Sequence, residues 1–394
     1  MDIRDIGEKN RDWIIEKRRD LHRIPELSYQ EMQTQAYVMK ALLGLGLKPE
    51  PFADTGVFAY IEGGAGASDE QRTIALISDM DGLAVTEETG LPFASEHHGM
   101  MHACGHDGHM AIMLGAAKIL LEKKDKINGR VKIIFYPGEE SAVGSEKAIA
   151  RGALEGVDGV FGCHLWSDIP SGKITVQSGP IMAASDAFFI EVKGKGCHGA
   201  MPHLGIDPIY AASRIVVALK AAPGTMIDPL QSAVVTVCEF SAGTEWNRIP
   251  EMASLAGTTR CFDNELRKNI QDMVAEVAKK TAEETGASAE VRWEHGSAVV
   301  INDKNCSRTA EKALEKVCGE GVSFHYDGTM SGDDFAEYLN RKPGVFAMIG
   351  VSDPSKHTDA PQHSSRFDVD EDMLVKGSEL AAQYAVDWLS GSRG

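Results

Sequence analysis

The sequence predicts an α/β protein, in which a ferredoxin-like βαββαβ domain is inserted into a domain built on a mostly parallel, helix-covered sheet. At both ends of the chain, short apolar runs alternate with helix-length amphipathic segments. Most residues of those runs are apolar, as expected for strands that are covered by helices on both faces. The middle of the chain follows another order, strand–helix–strand–strand–helix–strand, which is that of the ferredoxin-like unit.

The elements of the first part of the chain follow from apolar periodicity and turn signals. In the segment over 107–123, Met110, Leu114, Ala117 and Leu121 recur at helical spacing. The polar stretch 63–72 is rich in glycine and alanine and predicts a surface loop. The predicted helices cover 5–23, 29–45, 107–123 and 144–151, and the predicted strands cover 57–61, 73–78, 130–136 and 157–163.

The middle and the end of the chain complete this division. Strands are predicted over 187–192, 233–240, 252–261 and 289–295, with helices over 206–219 and 264–285. The alternating pattern then returns as a helix over 303–317, a strand over 345–350 and an amphipathic helix over 370–388. We therefore expect a main domain in two parts, 1–184 and 298–394, and an inserted domain over 185–297.

Composition limits the classes of protein and of partner. A length of 394 residues suits two domains, and a hydrophobic content of 43% is enough for real cores. A net charge of −18 argues against nucleic acid or an anionic membrane as a partner. No apolar run is long enough to span a bilayer, and the charged N-terminus lacks the apolar core of a signal peptide.

The stretch from His102 to His109, HACGHDGH, is the strongest chemical signal in the chain. It combines one thiol, three imidazoles and one carboxylate in eight residues. Cys104 and His106 are two residues apart, so in an extended segment their side chains would point to the same side. Thiolate and imidazole are good ligands for zinc, nickel or cobalt. The stretch therefore predicts part of a metal site, with further ligands from elsewhere.

Three other interpretations of this stretch remain open. A structural zinc finger needs four Cys or His ligands at paired spacings, and the chain has no CxxC pair. A nucleophilic triad of Cys104, His106 and Asp107 would have to form from near neighbours, whereas triad members normally come from distant segments. A histidine-rich surface turn would not explain the polar residues that follow the apolar runs.

Polar residues follow several apolar runs directly. Glu139 and Glu140 come after the run over 130–136, and Cys163–His164 closes the run over 157–162. Asp79-Met80-Asp81 follows the run over 73–78, and His363 lies beyond the run over 345–350. In open parallel sheets, ligands collect outside the carboxyl ends of the strands. These residues are therefore expected to share one crevice. The seven cysteines show no disulfide framework, and a thiolate at Cys104 fits a reducing cytoplasm.

In its motifs the chain resembles the co-catalytic metallopeptidases of the aminoacylase/carboxypeptidase family. The similarity is greatest to the amidohydrolase subgroup of hippurate hydrolases, N-acyl-L-amino-acid amidohydrolases and auxin-conjugate hydrolases. It extends nearly from end to end. The motifs that carry it are RRDLHRIPELS at 18–28, DMD at 79–81, HACGHDGH at 102–109, EE at 139–140, GCH at 162–164, GKGCHGAMPH at 194–203, NRIP at 247–250, GTTR at 257–260 and HSSRF at 363–367.

The resemblance implies a site with two divalent metal ions, of zinc, manganese, nickel or cobalt. It also implies hydrolysis of N-acetyl, N-benzoyl or aryl-acyl amino acids to a carboxylic acid and a free amino acid by metal-bound hydroxide. Glu139 would be the general base, and His198 would stabilise the oxyanion. Asp81 would hold a metal ligand in position without binding the metal itself. The implied metal ligands are Cys104, which would bridge both ions, His106, Glu140, His164 and His363, and the implied substrate-binding residues are Asn247 and Arg260.

The resemblance also implies that the inserted domain is a lid, and that a homodimer or higher homo-oligomer forms through it. His198 is then expected to reach the metal ions of the neighbouring subunit. A dipeptidase or carboxypeptidase on the same scaffold is an alternative, and so is a catalytically silent metal-binding relative, although the intact Glu139 argues against the latter. For Arg260, an ordinary surface ion pair is the simpler interpretation. His102 and His109 are expected not to be ligands.

Overall fold

The computed structural model describes residues 1–64 and 71–391, so most of the loop predicted over 63–72 lies outside the described residues. The α-helices of the described ranges are α1 (Ile3–Lys9), α2 (Arg11–His22), α3 (Met32–Gly44), α4 (His106–Glu122), α5 (Gly144–Ala150), α6 (Pro208–Ala221), α7 (Pro223–Met226), α8 (Asn264–Glu283), α9 (Lys304–Cys318), α10 (Ala336–Leu339) and α11 (Asp372–Ser390).

The strands of the same ranges include all those expected from the sequence and several shorter ones. They are β1 (Glu50–Phe52), β2 (Gly56–Glu62), β3 (Thr73–Asp79), β4 (Arg130–Tyr136), β5 (Gly159–Pro170), β6 (Ile174–Thr175), β7 (Gly179–Met182), β8 (Ala184–Lys193), β9 (Cys197–His198), β10 (Ala233–Ala242), β11 (Arg248–Ile249), β12 (Met252–Cys261), β13 (Ser288–His295), β14 (Val300–Asn302) and β15 (Gly344–Ser352).

The chain forms two compact units. The first consists of Met1–Gly179, Ile301–Asp327 and Asp334–Gly394, and the second of Pro180–Val300 and Gly328–Asp333. In the described part of the chain, no helix combines the length and the apolar character that crossing a membrane would require.

The first unit is built on a seven-stranded sheet with the order β1-β2-β4-β3-β5-β15-β6. Its central strands β4, β3, β5 and β15 are parallel to one another, while β2 and β6 join them antiparallel at the two sides. Every residue of β3 is buried, and so is every residue of β4 after Arg130. Because both faces of the sheet are buried, most residues of these strands are apolar. The predicted mostly parallel, helix-covered sheet is confirmed.

One helix of the first unit differs from the prediction. The helix expected over 5–23 is divided at Asn10, where α1 ends and α2 begins. The Asn10 side chain donates a hydrogen bond to the Ile6 carbonyl, at 2.9 Å, and so competes with the helical backbone. The apolar periodicity continues through this break, which is why the pattern alone did not reveal it.

The second unit contains a four-stranded antiparallel sheet with the order β10-β12-β8-β13. Along the chain its elements run β8, α6, β10, β12, α8, β13, which is the predicted βαββαβ order. Its core includes Phe188, Ile215, Leu255 and Val274, all less than 3% exposed. The ferredoxin-like prediction is therefore confirmed. A separate pair of short strands, β9 and β11, carries His198 opposite Arg248.

Candidate metal centre

The parallel strands at the middle of the first sheet bring the predicted site residues to one edge. Strand β3 ends at Asp79, and β4 ends just before Glu139 and Glu140. His363 lies in the loop beyond β15. His164 was expected at the end of its strand, but β5 continues to Pro170, so the imidazole projects from inside the strand.

A tight turn presents Cys104 and His106. The extended segment proposed from the sequence is wrong here, because Cys104 lies in a turn and His106 is the first residue of α4. Gly105 between them has φ +90° and ψ 13°, a left-handed conformation that glycine adopts without steric cost. This turn, rather than strand alternation, brings both side chains to the site.

Two groups of potential ligand atoms share the Cys104 thiol. In the first, with His106 and His164, the atoms all lie within 4.8 Å of one another, and the same holds for the second, with Glu140 and His363. Cys104 Sγ is 3.5 Å from His164 Nε2, and Glu140 Oε1 is 3.7 Å from His363 Nε2. Tetrahedral bonds of about 2.0–2.3 Å separate two ligands of one ion by roughly 3.3–3.8 Å. Both pairs therefore have the spacing of metal ligands.

Unsatisfied polar atoms indicate that this cluster needs a cation. Both ring nitrogens of His106 and Oε1 of Glu140 are buried without a hydrogen-bond partner in the described part of the chain. Leaving such atoms unpaired costs about 1–3 kcal/mol each. Burial, together with the carboxylates of Glu140 and Glu139, raises the pKa of the Cys104 thiol. A cation would satisfy the orphaned atoms and favour the thiolate, so the residues present fit a metal site.

A hydrogen bond determines the tautomer of the His164 imidazole. Its Nδ1 lies 2.8 Å from the Leu165 carbonyl oxygen, which can only accept, so Nδ1 carries the proton. The lone pair is then on Nε2, the atom that faces Cys104 Sγ. Burial lowers the pKa of His164, which keeps the ring neutral as a metal ligand requires.

Asp81 is hydrogen-bonded to the backbone of both glutamates. Its two carboxylate oxygens accept the backbone N–H groups of Glu139 and Glu140, at 3.0 and 3.1 Å. Ser28 Oγ donates to the same carboxylate at 2.6 Å, and His106 Nδ1 is 3.5 Å away. Asp81, which is 1% exposed, thus holds the backbone of both glutamates and lies beside His106.

A further aspartate, Asp334, supports Glu139 and was not singled out from the sequence. Its backbone N–H is 3.5 Å from Glu139 Oε1. Its own carboxylate accepts the Tyr136 hydroxyl at 2.8 Å and the Ser145 N–H at 2.7 Å. Only the fold shows that the Asp334 carboxylate is held beside the end of β4.

His363 stands in a strained conformation. Its φ is +65°, which costs a non-glycine residue about 1–3 kcal/mol and is typical of functional sites. The Ala103 carbonyl accepts its N–H at 2.8 Å, next to Cys104. The preceding Gln362 side chain donates to the Leu165 carbonyl at 3.0 Å. The His363 side chain remains 56% exposed, so it lies at the open side of the cluster.

Two other histidines of the HACGHDGH stretch are not arranged as ligands. Both ring nitrogens of His109 make hydrogen bonds, one with Asp79 and one with the Leu165 N–H. The ring nitrogens of His102 are buried without a hydrogen-bond partner in the described residues, and burial lowers the pKa of His102 to about 4. No group of potential ligand atoms in the described residues includes His102.

The second unit carries the other predicted site residues. His198 is exposed, and its Nδ1 accepts the Ala200 N–H at 3.0 Å, which leaves Nε2–H as the donor. Asn247 is also exposed, and its carbonyl accepts the Gly199 N–H at 2.8 Å. Arg260 lies half-buried on β12 and donates to the Thr259 carbonyl at 2.8 Å.

The alternative interpretation of Arg260, an ordinary surface ion pair, finds no support in the described residues. Burial lowers the pKa of this guanidinium, and no carboxylate of residues 1–64 or 71–391 forms an ion pair with it. Such a group can bind the carboxylate of a ligand.

Comparison with known proteins identifies the family. Residues 75–387 match the model of peptidase family M20/M25/M40. The chain belongs to this family. The predicted relationship to metallopeptidases and amidohydrolases, and the prediction of an enzyme that hydrolyses amide bonds, are therefore confirmed.

Several family members are similar over nearly their whole length. An N-acetyl-L-cysteine deacetylase of Bacillus subtilis is 39% identical, covering 93% of this chain and 85% of the relative. Thermostable carboxypeptidase 1 of Saccharolobus solfataricus is 37% identical, covering 98% and 96%. IAA-amino acid hydrolase ILR1-like 2 of Arabidopsis thaliana is 35% identical, covering 96% and 85%.

A solved M20 structure extends this similarity to three dimensions. It is that of the Bacillus subtilis YXEP protein, described as a dinuclear metal binding peptidase of the M20 family. It superposes with a TM-score of 0.85 at 35% identity and covers 97% of this chain and 99% of its own. At this identity and coverage, the M20 fold applies to the whole chain.

Proposed function

We propose that this protein is a metal-dependent hydrolase of N-acyl amino acids, which releases a carboxylic acid and a free amino acid. The cluster of Cys104, His106, Glu140, His164 and His363 carries the proposal, because it presents buried ligand atoms at metal-ligand spacing beside a second glutamate, Glu139. Acetyl, benzoyl and aryl-acyl groups are the proposed acyl classes. The deacetylase and the IAA-amino acid hydrolase among the relatives support this choice.

The cluster would hold two divalent ions, of zinc, manganese, nickel or cobalt. Cys104, His106 and His164 would hold one, and Cys104, Glu140 and His363 the other, so that the thiolate is shared. The dinuclear description of the YXEP protein supports two ions. Such ions supply Lewis acidity, which lowers the pKa of water and polarises a carbonyl group.

Glu139 would move the proton. It would take a proton from the attacking water and pass it to the nitrogen of the departing amino acid. Asp81 accepts the backbone N–H of Glu139, and the Asp334 N–H lies 3.5 Å from Glu139 Oε1. Both glutamates approach His106 Nε2, Glu139 Oε2 at 3.9 Å and Glu140 Oε1 at 3.8 Å. Glu140 shares a group of potential ligand atoms with Cys104 and His363, which Glu139 does not, and this difference supports a division of labour between the two glutamates.

The second unit would act as a lid that recognises the substrate. The Nε2–H of His198 would donate to the oxyanion, and Asn247 and Arg260 would bind the free α-carboxylate. We further propose a homodimer or higher homo-oligomer through this unit, in which His198 reaches the metal centre of the neighbouring subunit. Val217, Leu230 and Trp246 support such an interface, because they are 70%, 93% and 96% exposed.

The cellular setting is proposed from charge and cysteine state. The seven cysteines are all free, which supports a reducing cytoplasm. The net charge of −18 supports small molecules as partners, rather than nucleic acid or a membrane.

A dipeptidase or carboxypeptidase is the second candidate, because thermostable carboxypeptidases 1 and 2 are 37% and 36% identical. A panel of N-acetyl, N-benzoyl and N-indolyl-acyl amino acids, free dipeptides and N-blocked peptides separates the two when each metal is supplied in turn. We expect the highest kcat/KM on an N-acyl amino acid. Preference for peptides would favour the second candidate. Two bound ions without turnover of any amide would indicate a silent relative.

A further inference from the structure

The backbone of Leu165, the residue after His164, is hydrogen-bonded through both its N–H and its carbonyl. The Leu165 N–H donates to His109 Nε2 at 2.9 Å. The Leu165 carbonyl accepts His164 Nδ1–H at 2.8 Å and the Gln362 side-chain amide at 3.0 Å. Leu165 is 0% exposed, so water does not compete for these bonds. Two of the proposed metal-binding segments are thus hydrogen-bonded to the backbone of this one residue.

The acceptor role of His109 determines its tautomer. A backbone N–H can only donate, so His109 Nε2 bears a lone pair and Nδ1 bears the proton. That proton is directed at Asp79, whose two carboxylate oxygens lie 2.9 and 3.2 Å from Nδ1. His109 is 0% exposed, and its ring packs edge-on against that of His164 with centroids 4.6 Å apart. Asp79 therefore holds His109 in the one tautomer that can accept the Leu165 N–H.

We propose that Asp79 and His109 are positioning residues, which fix the Leu165 backbone and through it the tautomer and direction of the His164 imidazole. The chain of bonds runs from the Asp79 carboxylate to His109, to the N–H of Leu165, and from the carbonyl of Leu165 to His164 Nδ1. The nitrogen that a metal binds is set by the hydrogen bond that the other nitrogen makes. In this chain the series of hydrogen bonds leaves the lone pair of His164 on Nε2, beside Cys104 Sγ.

The proposal rests on the proposed function only in assuming that His164 is a ligand. The hydrogen-bonded tautomer is a property of the metal-free protein as well. It can therefore be measured independently of metal binding and of activity.

The first experiment compares two substitutions at His109. His109→Phe keeps a ring but removes the acceptor for the Leu165 N–H, whereas His109→Gln offers an amide oxygen in its place. In the metal-free protein, nitrogen NMR of the histidine rings reports the tautomer of His164. We expect Nδ1–H in the wild type and in His109→Gln, and a mixture of tautomers in His109→Phe.

Metal titration supplies the second readout. We expect His109→Phe to bind one of its two ions about 10–100-fold more weakly, the usual effect of removing a residue that orients a ligand. The other ion, at Glu140 and His363, should bind as in the wild type. His102→Phe is the matched control, because His102 is equally buried in the same stretch but makes no ring hydrogen bond in the described residues. It should leave both affinities unchanged.

An unchanged His164 tautomer together with two wild-type metal affinities in His109→Phe would overturn the proposal. If that variant fails to fold, Asp79→Ala makes the test from the other end of the chain of bonds. It is read by the His164 tautomer alone, because Asp79 Oδ2 also lies 3.6 Å from His106 Nε2. A mixture of tautomers is expected, and an unchanged His164 tautomer would overturn the proposal. A wild-type protein that binds fewer than two ions would instead contradict the proposed function, while the tautomer measurement would still decide the role of His109.

Discussion

The two units of this protein present their proposed functional groups in opposite ways. In the first unit, His106, His109 and His164 are at most 4% exposed, and the backbone around them is held by buried hydrogen bonds. In the second unit, His198 and Asn247 are exposed and lie on or beside the two-residue strands β9 and β11. The first arrangement is rigid before any ligand arrives, whereas the second leaves its donors open to solvent.

This difference agrees with the division of work proposed for the two units. Metal chemistry depends on ligand directions within a few tenths of an ångström, so the fold fixes those groups by burial. Substrate recognition can be completed on binding, so its groups need only be accessible. Changes in the first unit should therefore affect the metals and kcat, and changes in the second unit should affect the use of substrate.

The largest effect should come from the thiol that both proposed ion sets share. Cys104→Ala is expected to lower bound metal toward zero and to abolish turnover, because each set would lose a ligand. Metal analysis after dialysis measures this directly. Cys306→Ala, which changes another buried thiol of the first unit, should keep both ions. Retention of two ions in Cys104→Ala would contradict the shared role.

The next effect separates chemistry from metal binding within the first unit. Glu139→Gln should keep both ions and lose at least ~10²-fold in kcat, the usual contribution of a general base. Glu146→Gln, at an exposed glutamate of α5, is the control and should have normal kcat. A near-normal kcat in Glu139→Gln would show that another group moves the proton.

Mixed dimers test whether the two units cooperate across subunits. His198→Ala and Glu139→Gln are each expected to be inactive. If His198 acts in the neighbouring subunit, a heterodimer of the two variants has one site with both groups intact, and activity should return on co-expression. Continued inactivity, in a mixture shown to contain heterodimers, would place His198 at the site of its own chain.

A more selective effect is expected at Arg260. Arg260→Ala should lower kcat/KM for an N-acyl amino acid by about 10–100-fold, the scale of a lost charge-assisted hydrogen bond to a carboxylate. The matching C-terminal amide, which has no carboxylate, should be affected little. Arg248→Ala is the control, because Arg248 is an exposed arginine of the same unit that pairs with Glu251. Equal losses on both substrates would remove Arg260 from carboxylate binding.

The smallest effect concerns the stability of the first unit away from the metal centre. Burial raises the pKa of Glu379 from 4.5 to about 7, although Lys376 lies beside it. The folded state thus binds the Glu379 proton more tightly than the unfolded state does. The resulting contribution to the free energy of unfolding is complete below pH 4.5 and is lost as the pH rises through 7. Glu379→Gln should remove this pH dependence and raise the free energy of unfolding at pH 8 by about 1–3 kcal/mol.

Denaturant unfolding between pH 4 and pH 8 measures the contribution of Glu379. Glu8→Gln is the control, because Glu8 contacts the same Lys376 from a more exposed position. An unchanged pH slope in Glu379→Gln would mean that this carboxylate titrates alike in the folded and unfolded states.

Local patterns in the sequence determined much of this protein. Mostly apolar runs predicted the strands of the first sheet, because parallel strands are buried on both faces. The HACGHDGH stretch and the Glu139–Glu140 pair each bring several potential metal ligands or proton-transferring groups into one short segment. Strand β4 of the first unit and strand β12 of the second unit were predicted with their observed boundaries. The placement of polar residues after apolar runs identified the candidate crevice, because strand ends meet at one edge of a parallel sheet.

Only the tertiary structure determined how the side chains of the candidate ligands are oriented. Asp79 and His109 are 30 residues apart, Gln362 and Leu165 are 197 apart, and Asp334 and Tyr136 are 198 apart. The left-handed turn at Gly105 and the strained His363 likewise depend on what packs around them. Local propensity depends on near neighbours, whereas these contacts depend on which strands are adjacent in the sheet. The sequence therefore determines which groups are present, and the fold determines which atom of each group faces the site.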